Sequence, residues 1–169
     1  IIGTGTAASS VASRVSAAGW RVAVIDFRPF GGTCALRGCD PKKVFFGAAA
    51  AKDQAESMYG KALTGEIRID WPSLLTFKRS FTQPIPSMSE QKFREKGIDT
   101  YHGCARFTGR NTLVVDDDEL HGDFILIAAG AEPRQLGIPG EHHLVTNEEF
   151  LALDSLPRRI VMVGGGYVA

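Results

Sequence analysis

Two cysteines, Cys34 and Cys39, stand five residues apart in the run Gly31-Gly32-Thr33-Cys34-Ala35-Leu36-Arg37-Gly38-Cys39-Asp40-Pro41-Lys42-Lys43. Zinc sites join such a pair to further Cys or His ligands at fixed spacing, and none follow here. In a regular helix, five residues of rise and rotation separate the two Cα atoms by roughly 8–9 Å, whereas a disulfide tolerates about 4.4–6.8 Å. A Cys34–Cys39 bond therefore requires an irregular first turn, for which Gly38 supplies the backbone freedom. Such a bond is strained and readily reduced, which suits a catalytic disulfide better than a structural one. Taken alone, a cysteine pair at this spacing is more often two packed thiols that never bond.

The elements that must position this pair begin upstream. Gly3-Thr4-Gly5-Thr6-Ala7-Ala8 fits the pattern G-x-G-x-x-[GA] after a strand stub, Ile1-Ile2. Ala8, Val11, Ala12 and Val15 then recur at helical spacing on one face, and Gly19 ends that helix. The Val- and Ile-rich segment from Trp20 to Ile25 reads as a buried parallel strand. It delivers Asp26, 21 residues after Gly5, near the spacing at which a carboxylate accepts hydrogen bonds from an adenosine ribose. Gly3 and Gly5 allow the tight turn and close backbone approach to a pyrophosphate, while the amides around Thr6 and Ala7 face the anion from the helix N-terminus.

Downstream, Asp40-Pro41 reads as an N-cap and first helical position, with a regular helix expected from Pro41 to Met58. Its small residues, Gly47 to Ala51, suit close packing against a cofactor or a sheet. Lys42 and Lys43 oppose the helix dipole, which makes sense if they face an anion or an electron-rich ring; the plain alternative is a solvated pair. Trp71, Leu74, Leu75 and Phe81 point to another helix packed in the core, broken by Pro84 and Pro86 and resumed from about Ser87 to Lys96, with Gly97 as its cap. Residues 99–128 are β-rich, with Asp116-Asp117-Asp118-Glu119 as a solvated hairpin tip. Cys104 is expected to be a small core residue. The four histidines show no triad or ligand spacing. Phe124 to Ala128 reads as a buried strand ending in a tight turn at Ala129-Gly130, and Ile160 to Val163 as a last strand opening a second glycine turn, Gly164-x-Gly166-x-x-Ala169.

The bulk composition narrows the class. With 44% hydrophobic and 22% charged residues the chain reads as globular. Nineteen basic residues balance nineteen acidic ones, so there is no electrostatic footprint for nucleic acid. The longest apolar runs fall far short of a membrane span. Three cysteines make no secreted framework and suit a reducing cytoplasm, where a disulfide is catalytic. There is no initiator Met, the first strand is short and the last motif breaks off, so a fragment of a longer protein is expected.

The run GGTCALRGCDPKK resembles the redox-active segment of the flavin-dependent pyridine nucleotide–disulfide oxidoreductases, the family of glutathione reductase, lipoamide dehydrogenase and mercuric reductase. The resemblance extends through nearly the whole chain, with several motifs in the same order. It implies FAD on the first glycine turn and NAD(P)H as co-substrate on the second. It also implies that Cys34 is the interchange thiol that attacks substrate, and that Cys39 is the thiolate stacked near the flavin. Gly32 and Thr33 lie in the same cofactor-facing segment. In the family a lysine just after the second cysteine approaches the flavin; both Lys42 and Lys43 are candidates and Lys42 is preferred. The backbone position matching Ala105 lies against the adenine end of FAD. Ala128-Ala129-Gly130 is similar to a second FAD-contact motif, Ala-Thr-Gly, with Ala129 in place of the threonine. Tyr167 matches a tyrosine that covers the nicotinamide pocket in glutathione reductases. Two departures bear on substrate: Asp40, where the family usually has an aliphatic residue, and Leu36, often Asn.

The expected fold is α/β, a Rossmann-like FAD-binding domain with a parallel sheet and a small antiparallel excursion around residues 100–123. The FAD-binding domain is placed at 1–157, with 158–169 opening an NAD(P)-binding domain. The resemblance implies an oxidoreductase passing electrons from NAD(P)H through FAD to a Cys34–Cys39 disulfide and on to a small-molecule disulfide. The resemblance also implies a cytoplasmic homodimer in full-length form, whose catalytic His-Glu pair comes from a C-terminal region. The alternatives are a mercuric-type metal-ion reductase, a flavoprotein oxidase, which usually needs one active cysteine, and a non-catalytic FAD-binding module whose cysteines only pack.

Overall fold

The computed structural model describes residues 1–166. The chain forms two compact units: Ile1–Leu36 with Gln83–Glu132, and Arg37–Thr82 with the chain from Pro133 onward.

The first unit is built on parallel pairing. Helix α1 (Thr6–Ala17) leads to strand β1 (Ala23–Asp26), which pairs in parallel with β2 (Asp99–His102), Asp26 opposite His102. On its other side Ile25 bridges Ile2, and Ile2 bridges Ile127, both in parallel. Four chain segments thus run side by side, as parallel sheets require when crossovers return each strand to the same direction. Ala8 and Ala12 of α1 are fully buried, because small side chains let a helix approach a sheet closely. Val22, Val24, Phe30, Phe93 and Ile98 complete that core. Val11, expected on the buried face, is exposed, while Val15 packs at the core's edge.

The antiparallel excursion forms as expected. Strands β3 (Arg106–Phe107), β4 (Thr112–Val115) and β5 (Asp118–His121) make a three-stranded sheet. The hairpin turns at Asp116, which carries φ 51°. Leu113 and Val115 pack with Ile25 in a second cluster. The polar residues of β5 are paired in the ladder from Asp118, so only Asp116 and Asp117 form the tip.

Several expectations are corrected. Phe124 to Ala128 does not form a buried strand: only Ile127 bridges Ile2, and Phe124 and Ile127 are 78% and 66% exposed. Ile160 to Val163 forms no strand and is exposed. Apolar content alone decides neither strand length nor burial: residues 126–128 pair with Ile2 over a single bridge, which leaves Phe124 and Ile127 uncovered. Cys104 is exposed rather than core.

In the second unit, α3 (Cys39–Glu56) packs on α4 (Trp71–Thr82). The Phe45 and Trp71 rings meet at 4.7 Å, and Trp71 donates its indole N–H to the Leu153 carbonyl at 2.8 Å. Leu75 is buried, whereas Phe77 and Phe81 are exposed, so Phe81 is not the core residue its spacing suggested. Helix α5 (Ile85–Glu95), in the first unit, starts beside Pro84. A short helix α6 (Asn147–Phe150) was not foreseen, although Thr146 and Glu149 form the capping box that its T-x-x-E spacing encodes.

Candidate functional site

The first glycine turn closes against three other segments of its unit. Gly3 has φ 109°, and a Cβ there would lie 2.2 Å from the Ala128 carbonyl oxygen. Gly32 has φ 70°, and a Cβ there would lie 2.4 Å from Gly5 Cα. Only glycine meets both demands, left-handed backbone and contact with another main chain. The turn, the start of the cysteine segment and the Ala128-Ala129 motif are thereby brought together.

Asp26 enters this assembly from the end of β1. Its Oδ2 accepts the backbone N–H of Thr4 at 3.0 Å and the Thr4 hydroxyl at 2.7 Å. Its Oδ1 accepts the N–H of Arg28 at 3.0 Å. The Asp26 carbonyl also accepts from Gly103 at 3.0 Å, which anchors the chain that leads to Ala105. Ala105 packs at the edge of the second core cluster. Thr4 was missed as a site residue; its one signal is a hydroxyl inside the glycine turn, and its partner acid stands 22 residues further on.

Thr6 and Ala7, both exposed, open α1, whose N-cap Gly5 offers no side-chain cap. The first amides of a helix without such a cap are donors suited to an anion. The chemistry of this donor set fits a dinucleotide: backbone N–H groups for a pyrophosphate, a carboxylate for a ribose hydroxyl, and glycines where any Cβ would intrude.

Cys34 lies half-buried on α2 (Gly32–Arg37), after the exposed Thr33. Helix α2 ends at Arg37, and α3 begins at Cys39 with Gly38 as its N-cap. Asp40 therefore does not cap: it sits in the first turn of α3 and pairs with Lys43 at 3.6 Å. A carboxylate there complements the helix dipole and offsets the two lysines. Cys39, Lys42 and Lys43 are exposed. Gly47 and Ala49 to Ala51 are exposed as well, so no sheet covers that small-residue run. Ala129 and Gly130 are exposed beside the half-buried Ala128. Gly164 and Gly166 are exposed on irregular chain, and Tyr167 lies outside the described residues.

Two further groups have unusual surroundings. Glu90 of α5 accepts from His102 Nε2 at 3.0 Å, from Thr100 Oγ1 at 3.1 Å and from Arg94 at 2.6 Å. The hydrogen bond with His102 is the main reason its carboxyl is held below the usual range. The His102 ring stacks on Phe30 at 4.5 Å. In the other unit, burial lowers the Lys78 amine from its ordinary range, and the Arg79 charge adds to this. Among the described residues, no three His, Cys, Asp or Glu side chains gather as metal ligands, and no helix is long and apolar enough to cross a membrane.

The chain is similar to known proteins along its whole length. It is 29% identical to a glutathione reductase of Burkholderia cepacia, over all of this chain and 38% of that protein. It is 29% identical to a trypanothione reductase of Trypanosoma congolense, covering 88% of this chain and 35% of that one. In structure it resembles the HOCl-induced flavoprotein disulfide reductase RclA from Escherichia coli with a TM-score of 0.73 at 27% identity, over 92% of this chain and 34% of that chain. The chain thus spans about a third of the length of these relatives. The family model for pyridine nucleotide-disulphide oxidoreductases matches residues 1–169. With the glycine turn, its carboxylate and the cysteine segment in one order, the chain belongs to the pyridine nucleotide-disulphide oxidoreductase family.

Proposed function

We propose that this chain is the FAD-binding and disulfide-bearing part of an enzyme that reduces a small-molecule disulfide with NAD(P)H. The observation that carries the reading is the convergence of Gly3, Gly5, Asp26 and Gly32 on one turn, directly before Cys34. In this reading the turn at Gly3, Gly5, Thr6 and Ala7 holds the pyrophosphate and Asp26 a ribose hydroxyl. The main chain at Gly32-Thr33, Ala105 and Ala128-Ala129-Gly130 lines the same cofactor, Lys42 or Lys43 attends its ring, and Gly164, Gly166 and Tyr167 serve the nicotinamide side. Bound FAD supplies a relay between a hydride donor and a disulfide.

The thiol steps belong to this chain. With both cysteines reduced, the Cys34 thiolate attacks one sulfur of the substrate disulfide, forming a mixed disulfide and releasing one substrate thiolate. Cys39 then attacks the Cys34 sulfur, releasing the second thiolate and closing the Cys34–Cys39 bond. A hydride equivalent from the nicotinamide (two electrons and one proton) and a second proton from solvent restore the dithiol. The reading carries with it residues 1–157 as the FAD-binding domain, 158–169 as the opening of an NAD(P)-binding domain, and a cytoplasmic homodimer. Three cysteines without a paired framework support a reducing compartment.

A metal ion is the second substrate class, favoured by the similarity to a structure described as the Cu(II) complex of RclA, at 26% identity and TM-score 0.73; the same cysteine pair would act on it. The test is purification, with FAD, of the full-length enzyme that contains this chain, and assay of NAD(P)H oxidation with disulfides and with metal ions as separate substrates; these 169 residues alone are expected to be inactive. Asp26→Ala is expected to weaken FAD binding roughly ten- to a hundredfold, the worth of charge-assisted hydrogen bonds. A protein that takes up no FAD would sink the proposal.

A further inference from the structure

Thr4 is 1% exposed, yet its side chain is polar and fully engaged. Its hydroxyl donates to Asp26 Oδ2 at 2.7 Å and accepts the N–H of Gly31 at 3.2 Å. Its backbone N–H donates to the same Asp26 oxygen at 3.0 Å, and its carbonyl accepts the Ser9 hydroxyl at 3.0 Å. One buried hydroxyl therefore joins the end of β1 to the residue that precedes Gly32 and the cysteine helix.

A carboxylate offers about four lone-pair directions. Thr4 fills two on Oδ2 and Arg28 one on Oδ1, so Asp26 is oriented before any ligand arrives. Fixing the rotamer in advance removes an ordering cost from binding. We propose that Thr4 is a positioning residue: its hydroxyl presets Asp26 for the dinucleotide ribose and ties that carboxylate to Gly31 at the entry to the cysteine segment. This rests on the flavin reading above and deepens it, because dinucleotide affinity then depends on a side chain that faces the carboxylate rather than the ligand.

The test compares Thr4→Val, which keeps the volume and removes the hydroxyl, with Thr4→Ser, which keeps the hydroxyl. Each is made in the purified protein and again with Asp26→Asn. FAD affinity is read by quenching of flavin fluorescence, and hydrogen exchange at the Gly31 amide is read in the absence of FAD. Thr4→Val is expected to weaken FAD binding about tenfold and to speed Gly31 exchange, while Thr4→Ser stays within about threefold of the parent on both. In the Asp26→Asn background the Thr4→Val effect on affinity should fall below about threefold, since the two residues share one interaction. Equal behaviour of the Val and Ser variants, or an undiminished effect of Thr4→Val beside Asp26→Asn, would overturn the proposal. A parent protein that takes up no FAD overturns the flavin reading and the affinity half of this one. Faster Gly31 exchange in Thr4→Val but not in Thr4→Ser would then still support the link from Asp26 to the cysteine segment.

Discussion

Gly3 meets the carbonyl of Ala128 so closely that a Cβ on Gly3 would stand 2.2 Å from that oxygen, on a backbone with φ 109°. Ile2 is hydrogen-bonded on both sides of this point, to Leu126 and Ala128, at 2.8 Å each. The first glycine of the turn is therefore held by the 126–128 segment as well as by the needs of a ligand.

Gly3→Ala is accordingly expected to destabilise the fold by on the order of 3 kcal/mol, from the unfavourable φ and the displaced main chain together. Thermal unfolding measured without cofactor checks it. A loss of FAD affinity with an unchanged Tm would show that the glycine serves the ligand alone.

The cysteines should separate by role. In the proposed full-length enzyme, Cys34→Ser and Cys39→Ser are each expected to lower NAD(P)H-dependent disulfide reduction by more than about a hundredfold, because exchange needs both sulfurs, with FAD content unchanged. Long-wavelength absorbance from a thiolate beside oxidised flavin should persist in Cys34→Ser and vanish in Cys39→Ser. The reverse pattern would exchange the two assignments.

Glu90 gives a pH dependence with a definite sign. Its folded-state pKa lies below the ordinary 4.5, chiefly through the hydrogen bond with His102. Its contribution to stability is thus fully present above about that value and lost as pH falls through the lowered one. The Tm difference between the parent and Glu90→Gln should be largest near neutral pH and shrink below about pH 4.5. A difference independent of pH would make Glu90 a neutral hydrogen-bond acceptor only.

Lys78 gives a slope of the same sign for the opposite reason, because its charged form is the one the fold disfavours. Its side chain is buried, with Nζ 6.0 Å from the centre of the Phe45 ring, and its pKa is lowered from 10.5 by that burial. Below 10.5 the unfolded state binds the proton more readily, so stability rises as pH climbs toward that value. Lys78→Met should raise Tm at neutral pH and remove this part of the alkaline rise. A lower Tm for the Met variant would mean that the ammonium–ring contact outweighs desolvation.

What could be read in the sequence is what depends on neighbours along the chain. The glycine turn, α1 with its buried Ala8 and Ala12, the Val-rich strand delivering Asp26, and the break at Gly38 between two helical segments are all local patterns of spacing and backbone freedom. The hairpin around Asp116 belongs with them. What only the tertiary structure decided concerns partners far apart in sequence. Phe124 to Ala128 and Ile160 to Val163 are both apolar, yet neither forms a buried strand: the first pairs with Ile2 over a single bridge and the second is exposed, since strand length and burial depend on partners elsewhere in the chain. Asp40 looked like a cap, but α3 begins two residues earlier than that reading has it, at Cys39 rather than Pro41, and turns that carboxylate into a partner for Lys43. Thr4 carried no signal in the sequence beyond a hydroxyl between two glycines. Its role appears only when folding brings Asp26 and Gly31, 22 and 27 residues away, within reach of one hydroxyl.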